Sequence, residues 1–194
     1  MREDIVKRIE ENINVKKSIL SDKHLIDTIE RAATVVVNAI KNDNKVIFCG
    51  NGGSAADSQH LAAELIGKFY FNRRSLPAVS LTVNTSMITA IGNDFGFEKV
   101  FSRQLEGIGK AGDVLIGLST SGNSENVVEA FRLAKEIGIS TIAFTGESGG
   151  ILRNLADILI NVPSNDTPRI QEAHIMVGHI ICELVEKEFL INGR

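Results

Sequence analysis

The chain has 194 residues, of which 43% are hydrophobic and 23% are charged, and no shift in composition divides it. These values are typical of one globular domain with a single core, and they exclude disordered, collagen-like and low-complexity architectures. The formal net charge is −3 without a basic stripe, and tryptophan is absent. A nucleic-acid partner is therefore not expected, whereas a small anionic ligand held by local loops is compatible with this charge.

The two cysteines, Cys49 and Cys182, lie in apolar stretches, which predicts buried thiols in a reducing compartment. No apolar run approaches the roughly 18 residues of a membrane span. The charged N-terminal sequence MREDIVKRIEE does not have the pattern of a signal peptide. We therefore expect a cytoplasmic protein without a membrane partner.

Two amphipathic helices are predicted first, because apolar residues recur at helical spacing from residue 1 to about residue 41. Ser21 and Asp22 interrupt this pattern and supply an N-cap for the second helix. We interpret residues 1–42 as a helical extension and residues 43–194 as an α/β core with a C-terminal helix. Together they form a single domain, 1–194.

Five short apolar runs alternate with helical stretches over the rest of the chain. The runs are Lys45–Cys49, Leu76–Leu81, Asp113–Leu118, Ser140–Thr145 and Asp157–Val162. Helices are predicted from Ala55 to about Lys68, from Glu125 to Ile137 with Gly138 as its C-cap, and from Pro168 to about Leu190. Nearly continuous apolar strands separated by helices predict a doubly wound five-stranded parallel sheet covered on both faces. In such a sheet, ligands bind beyond the carboxyl ends of the strands.

Two turns rich in glycine and hydroxyl groups each follow a predicted strand and precede a helix: Gly50–Ser54 and Ser119–Ser124. Glycines let the backbone approach a ligand, and helix N-terminal amides and hydroxyl groups donate hydrogen bonds, a combination suited to a phosphoryl group. Either turn taken singly is equally well explained as a tight strand-to-helix connection with a serine N-cap. Neither turn matches a P-loop or a dinucleotide fingerprint, so nucleotide chemistry is disfavoured.

Among the candidate ligands, His60 and Glu64 are four residues apart on the helix after the first turn, so their side chains share one face. Such a pair is more often a surface contact than a site, but its position after a phosphate-type turn favours a functional role. On the last helix, His174 and His179 lie about 140° apart around the axis, so they are not expected to serve one site. We predict that His174 and His24 are packed or capping residues rather than ligands.

The turn Ser119-Thr-Ser-Gly-Asn-Ser124, together with Gly50-Asn-Gly-Gly-Ser54, resembles the phosphosugar-binding domains of the sugar isomerase (SIS) family over about residues 45–165. Longer motifs are similar to the phosphoheptose isomerases: GNGGSAADSQHLAAE at 50–64, AIGND at 90–94 and TPRIQEAH at 167–174. With the two leading helices, this resemblance spans nearly the whole chain. It implies conversion of sedoheptulose 7-phosphate into D-glycero-D-manno-heptose 7-phosphate, an early step toward the heptoses of bacterial surface glycans such as lipopolysaccharide.

The resemblance also implies one zinc ion per subunit, held by His60, Glu64, Gln171 and His179. Glu64 would be the base and His179 its general acid/base partner, because moving a proton between adjacent carbons requires a base and polarised neighbouring oxygens. Gln171 and His179 are eight residues apart, which corresponds to about 12 Å along a helix axis. Their joint ligation is therefore implied by the resemblance alone, and it requires a frayed helix start or a ligand from another subunit.

Substrate-binding positions are implied in both turns and beyond them. They are Asn51, Gly52, Gly53, Ser54, Ser119, Thr120, Ser121 and Ser124, together with Asn93, Asp94 and Gln171. Asn93 and Asp94 are alternatively a helix-terminating turn. Pro168 stands where some relatives have an aspartate that contacts the substrate.

A competing interpretation is a non-enzymatic regulator of the same fold, which binds the replication initiator protein or senses phosphosugars. The initiator-binding relative replaces the residues that correspond to Glu64 and His179, and this chain keeps both. A hexulose-phosphate isomerase is a third possibility, which the ligand set disfavours. The terminal helices offer more hydrophobic surface than one sheet covers, so we predict a homo-oligomer, a tetramer by resemblance.

Overall fold

The predicted strands form one sheet in the computed structural model, which describes residues 1–191. The strands are β1 (Val46–Gly50), β2 (Ala78–Ser80), β3 (Val114–Leu118), β4 (Ser140–Thr145) and β5 (Ile158–Asn161). Every pair is parallel, and the order across the sheet is β2-β1-β3-β4-β5. The predicted doubly wound five-stranded parallel sheet is confirmed.

Helices cover both faces of this sheet. Within residues 1–191 the α-helices are α1 (Arg2–Ser21), α2 (Lys23–Lys41), α3 (Gly53–Ile66), α4 (Thr85–Phe95), α5 (Ser102–Ile108), α6 (Glu125–Glu136) and α7 (Thr167–Ile191). Alternate strand residues enter two cores, because successive side chains of a strand point to opposite faces. Phe48 and Ile116 pack in the core that contains α2, α3 and α7, whereas Ile47 and Leu115 pack with α5 and α6.

Several element boundaries differ from the prediction. Strand β2 covers only Ala78–Ser80 of the predicted run from Leu76 to Leu81; Pro77 has no N–H group to donate to a neighbouring strand. Helix α3 begins at Gly53, inside the predicted turn. The region before β3 holds two α-helices, α4 and α5, where the sequence indicated only a helix-terminating turn at Asn93 and Asp94. Helix α6 ends at Glu136, one residue earlier than predicted, so that Ile137 is the C-cap and Gly138, at a φ of 77°, follows it.

The central strands β1 and β3 are joined at both ends. At their amino ends, Asp113 is fully buried and accepts the backbone N–H groups of Lys45 at 3.0 Å and Lys110 at 2.9 Å, with Lys45 Nζ at 2.6 Å. At their carboxyl ends, Gly50 and Leu118 are register partners. Because the strand order reverses between these strands, both glycine-rich turns open at the place where such sheets bind ligands.

Both cysteines, Cys49 and Cys182, are free and buried, as predicted. Burial raises the pKa of each thiol to about 12, so neither is a reactive thiolate near neutral pH. Across residues 1–191, no helix is both long enough and apolar enough to span a bilayer.

Candidate active site

The turn after β1 is shaped by close backbone packing. A Cβ atom at Gly50 would lie 2.8 Å from the carbonyl oxygen of Ser54 and 3.0 Å from that of Leu118, so only glycine fits without a shift. Gly52 has a φ of 57° and forms the N-cap of α3, and a left-handed φ of this kind favours glycine. The exposed Gly52 and Gly53 therefore present backbone at the N-terminus of a 14-residue helix, the end that attracts anions.

The two turns are tied to each other by a pair of amide side chains. Asn51 and Asn126 exchange two hydrogen bonds, Asn51 Nδ2 to Asn126 Oδ1 at 2.8 Å and Asn126 Nδ2 to Asn51 Oδ1 at 2.9 Å. Asn126 is 2% exposed and belongs to the first turn of α6. Asn126 was not among the residues predicted from the sequence. The sequence marks it only as a polar residue directly before two valines, a pattern that is equally typical of an ordinary helix start.

The hydroxyl groups of these turns divide into internal and accessible ones. Ser54 and Ser119 are buried, at 3% and 2% exposure, and Ser119 Oγ donates to Ser124 Oγ at 2.9 Å. Thr120 and Ser121 are half-buried and exposed, respectively. Thr120 and Ser121 are thus available to a ligand, whereas Ser119 braces the turn from within.

A second cluster lies where α3 and α7 pack together. His60 Nε2 is 2.9 Å from His179 Nε2 and 3.2 Å from Glu64 Oε1. Ligand atoms of these three residues lie within 4.8 Å of one another, close enough to share a metal ion. The His60 side chain is 51% exposed and that of Glu64 is 22% exposed, so the cluster is open to a small molecule.

Gln171 occupies a different position along the same pair of helices. Its side-chain nitrogen lies 2.7 Å from the place that a Cβ of Gly53 would take. Because Gln171 meets Gly53 and His179 meets His60, the two helices run parallel. The structure thus brings three of the four predicted metal ligands together and places Gln171 about two turns away, beside the phosphate-type turn.

Asp57 is a candidate that the sequence analysis missed. It lies one turn before His60 on α3 and is half-buried. Burial raises the pKa of its carboxyl group, and the nearby His60 and His179 oppose this rise. The spacing of Asp57, His60 and Glu64 at positions i, i+3 and i+7 was the available signal, since those positions share a helix face.

The remaining predicted residues lie elsewhere. Asn93 and Asp94 are exposed in the last turn of α4, and Asn93 Nδ2 donates to Asp94 Oδ1 at 2.8 Å. Pro168 lies in the first turn of α7, where the missing N–H costs no intrahelical hydrogen bond. His174 is fully buried, as predicted. The packing predicted for His24 is wrong, because this residue is exposed in the first turn of α2.

Comparison with known proteins identifies relatives over the whole of this fold. A SIS domain model matches residues 11–146. The chain is 55% identical over 188 residues to a phosphoheptose isomerase from Clostridium acetobutylicum, a match that covers 97% of this chain and 96% of the relative. It is 58% identical over 160 residues to a phosphoheptose isomerase from Akkermansia muciniphila, covering 82% of this chain and 85% of the relative.

Solved structures agree with this assignment. Phosphoheptose isomerase GmhA from Neisseria gonorrhoeae has a TM-score of 0.90 at 44% identity, covering 96% of this chain and 98% of that one. A phosphoheptose isomerase from Francisella tularensis has a TM-score of 0.92 at 36% identity, covering 95% and 97%. The chain therefore belongs to the SIS domain family and, within it, to the phosphoheptose isomerases.

Proposed function

We propose that this chain is an aldose–ketose isomerase that converts sedoheptulose 7-phosphate into D-glycero-D-manno-heptose 7-phosphate. The observation that carries the proposal is the cluster that His60 and Glu64, on a helix that begins at a phosphate-type turn, form with His179 of α7. From Gly53 to His60 the helix rises about 10 Å. That span is comparable to an extended seven-carbon chain with a terminal phosphate, so one molecule can meet both places.

The chemistry requires one proton to move between two carbons. Glu64 removes a proton from C1 of the ketose, which forms an enediol or enediolate, and returns a proton to C2. His179 moves a proton between the two adjacent oxygens, so that O1 becomes the aldehyde oxygen and O2 a hydroxyl. General acid–base catalysis of this kind contributes about 10²–10⁴-fold to the rate.

The donor set of the cluster fits zinc, which favours imidazole nitrogen and carboxylate oxygen at about 2.0–2.2 Å. Ligands of a tetrahedral ion at that bond length are spaced only slightly wider than the 2.9 Å between His60 Nε2 and His179 Nε2. His60, Glu64 and His179 would hold the ion, which when bound polarises the substrate oxygens. For Gln171 to be the fourth ligand, the start of α7 must rearrange or a second subunit must supply the residue.

Phosphate binding is assigned to the two turns at the ends of β1 and β3. The backbone N–H groups at Gly52 and Gly53 and the hydroxyls of Thr120 and Ser121 are the accessible donors, and Ser124 completes the second turn. Asn51 acts through its hydrogen bonds to Asn126. Asn93, Asp94 and Gln171 are proposed to contact the sugar hydroxyls.

A non-enzymatic regulator remains the alternative from another class. The clustering of Glu64 and His179 favours the enzyme, because a regulator that only binds a phosphosugar needs no base and no proton relay. More distant solved structures include the sugar isomerase domain of an RpiR transcription factor from Sphaerobacter thermophilus, at 20% identity and a TM-score of 0.64. That likeness concerns the fold alone.

The homo-oligomer remains part of the proposal. On α1, Ile5, Ile9 and Ile13 are 61%, 56% and 44% exposed and recur on one helix face. A contiguous apolar stripe of this kind is typical of a protein–protein interface. A tetramer is the expected assembly, and sedimentation of the active protein as a monomer would contradict it.

The test is incubation of the purified protein with sedoheptulose 7-phosphate in D₂O, followed by NMR of the heptose product. We expect formation of the aldose with deuterium at C2, because the enediolate is reprotonated by a group that exchanges with solvent. Glu64→Gln should abolish both product formation and exchange, and a chelator should lower the rate in the wild type. An unchanged ketose in the presence of zinc would contradict the isomerase and favour the regulator.

A further inference from the structure

The segment between α3 and β2, residues 67–77, has no regular secondary structure and is mostly exposed, yet it reaches the candidate active site. The ring of Phe69 lies 5.6 Å from that of His179, measured between centroids. An exposed segment of this kind is normally among the least stable parts of a fold. Here a buried carboxylate and a buried guanidinium group help to hold it, together with the Leu76 N–H, which donates to the Leu65 carbonyl.

The carboxylate belongs to Glu186, which lies on α7 two turns after His179 and is 1% exposed. It accepts three consecutive backbone N–H groups, those of Phe69 at 2.9 Å, Tyr70 at 2.7 Å and Phe71 at 3.2 Å. Burial alone would raise the pKa of Glu186, but these donors and a neighbouring guanidinium hold that pKa below its ordinary value. The carboxylate therefore stays ionised and fixes the backbone that carries Phe69.

The guanidinium group belongs to Arg73, whose side chain is 3% exposed and whose Nε lies 3.1 Å from Glu186 Oε1. It donates to the backbone carbonyls of Glu64 and Leu65, each at 2.9 Å, and of Gly67 at 3.2 Å. These carbonyls belong to the C-terminal end of α3, where backbone acceptors lack intrahelical partners and a cation is favourable. Arg73 thus caps the helix at the turn that carries Glu64.

Stability alone does not account for such a pair. Taking two charges out of water is unfavourable, and apolar replacements of buried ion pairs are often neutral or stabilising. The pair does provide a defined geometry. Arg73 holds the backbone of Glu64, and Glu186 holds the ring that packs against His179.

We infer that Arg73 and Glu186 are positioning residues for the isomerase site, which together set the placement of Glu64 on α3 relative to His179 on α7. The inference rests on the proposed function. The phosphate-type turns lie at the opposite end of α3, so the network influences the proton-transfer groups more than phosphate binding. Loosening it should lower kcat and leave KM nearly unchanged.

The experiment compares Glu186→Gln, Arg73→Lys and Phe69→Leu with the wild type. Steady-state rates with sedoheptulose 7-phosphate give kcat and KM, and competition with a chromophoric chelator gives the zinc dissociation constant. We expect kcat to fall about 10–100-fold, as a small misplacement of catalytic groups does, with KM within about twofold. Zinc binding should weaken about tenfold, as it does when residues supporting a metal site are changed.

The matched control is Asp113→Asn, which changes another buried acid that pairs with a cation and accepts backbone N–H groups, but whose partners, Lys45 and Lys110, belong to neither α3 nor α7. It should lower the melting temperature without changing kcat or zinc affinity. If Glu186→Gln also lowers only the melting temperature, the inference is overturned. If Glu186→Gln does not fold, the kcat and zinc affinity of Phe69→Leu test the inference instead, because this variant leaves the ion pair between Arg73 and Glu186 intact.

The two proposals fail in different ways. A wild-type protein that leaves sedoheptulose 7-phosphate untouched contradicts the proposed function. The zinc affinities of the same variants then decide whether the network positions His179 and Glu64. Unchanged zinc affinity in both Glu186→Gln and Phe69→Leu would overturn the positioning role.

Discussion

The two sides of α7 carry histidines with opposite surroundings. His174 faces the sheet, where it is fully buried, and its Nε2 donates to the Thr145 carbonyl at 3.1 Å. His179, five residues later, faces α3 and lies half-buried beside His60. A helix turns about 100° per residue, so five residues carry a side chain to another face. The comparison shows that helix phase, and not residue type, separates a structural histidine from a candidate catalytic one.

The largest expected effect is a difference in activity between variants of these two histidines. His179→Gln should lower kcat about 10²–10⁴-fold, because it removes a proton-transfer group, and should change the free energy of unfolding little. His174→Gln should retain most of kcat per folded molecule. Steady-state rates and urea unfolding of both variants make the comparison, and a His179→Gln enzyme with wild-type kcat would remove His179 from the mechanism.

The second effect concerns the pH dependence of stability. Burial lowers the pKa of His174 to about 4 from 6.5, although its hydrogen bond to Thr145 opposes the shift. Between these values the unfolded chain binds a proton that the folded chain does not. The free energy of unfolding therefore falls as pH drops from 6.5 toward 4, by about 3 kcal/mol in total.

Urea unfolding at pH 7.5 and pH 5.0 measures this dependence at fixed protein concentration. The wild type should lose about 2 kcal/mol more than His174→Gln over that interval. His24→Gln is the matched control, because His24 is exposed, and it should keep the wild-type dependence. Equal losses in wild type and His174→Gln would show that His174 does not titrate differently on folding.

The smallest effect tests the contact between α3 and the site-bearing side of α7. A Cβ at Gly178 would lie 2.6 Å from Leu61 Cδ1, and Leu61 is 1% exposed. Gly178→Ala should therefore destabilise the protein by about 1–3 kcal/mol. Gly107→Ala is the control, since no atom lies within 4 Å of a Cβ there, and alanine favours a helix. Equal melting temperatures for the two variants would contradict the tight packing.

Much of the fold was predictable because its signals are local. The apolar runs identified all five strands, and the spacing of His60 and Glu64 placed both on one helix face. Strand β2 was predicted too long at its start, because Pro77 has no N–H group to donate to β1 although it does not interrupt the apolar pattern. Helix α4 was indicated only by its last turn and α5 was not predicted, since their sequence lacks a long amphipathic repeat.

The candidate site was predictable only in part. The turns and the His60–Glu64 pair follow from motifs, but Asn126, Arg73 and Glu186 carry no pattern of their own. In the sequence, Glu186 resembles any other charged residue of a long helix. Only the tertiary structure places three backbone N–H groups next to its carboxylate. Sequence spacing also did not predict the position of Gln171, whose side chain packs against Gly53.

By itself, the sequence determined which segments are strands and helices and where the glycine-rich turns lie, because those features depend on neighbours within a few residues. Tertiary structure decided which histidine meets His60, since His60 and His179 are 119 residues apart in the chain. It also decided which charged residues are buried. Both outcomes depend on how α3 and α7 pack against each other on one face of the sheet, and periodicity within one segment does not specify that packing.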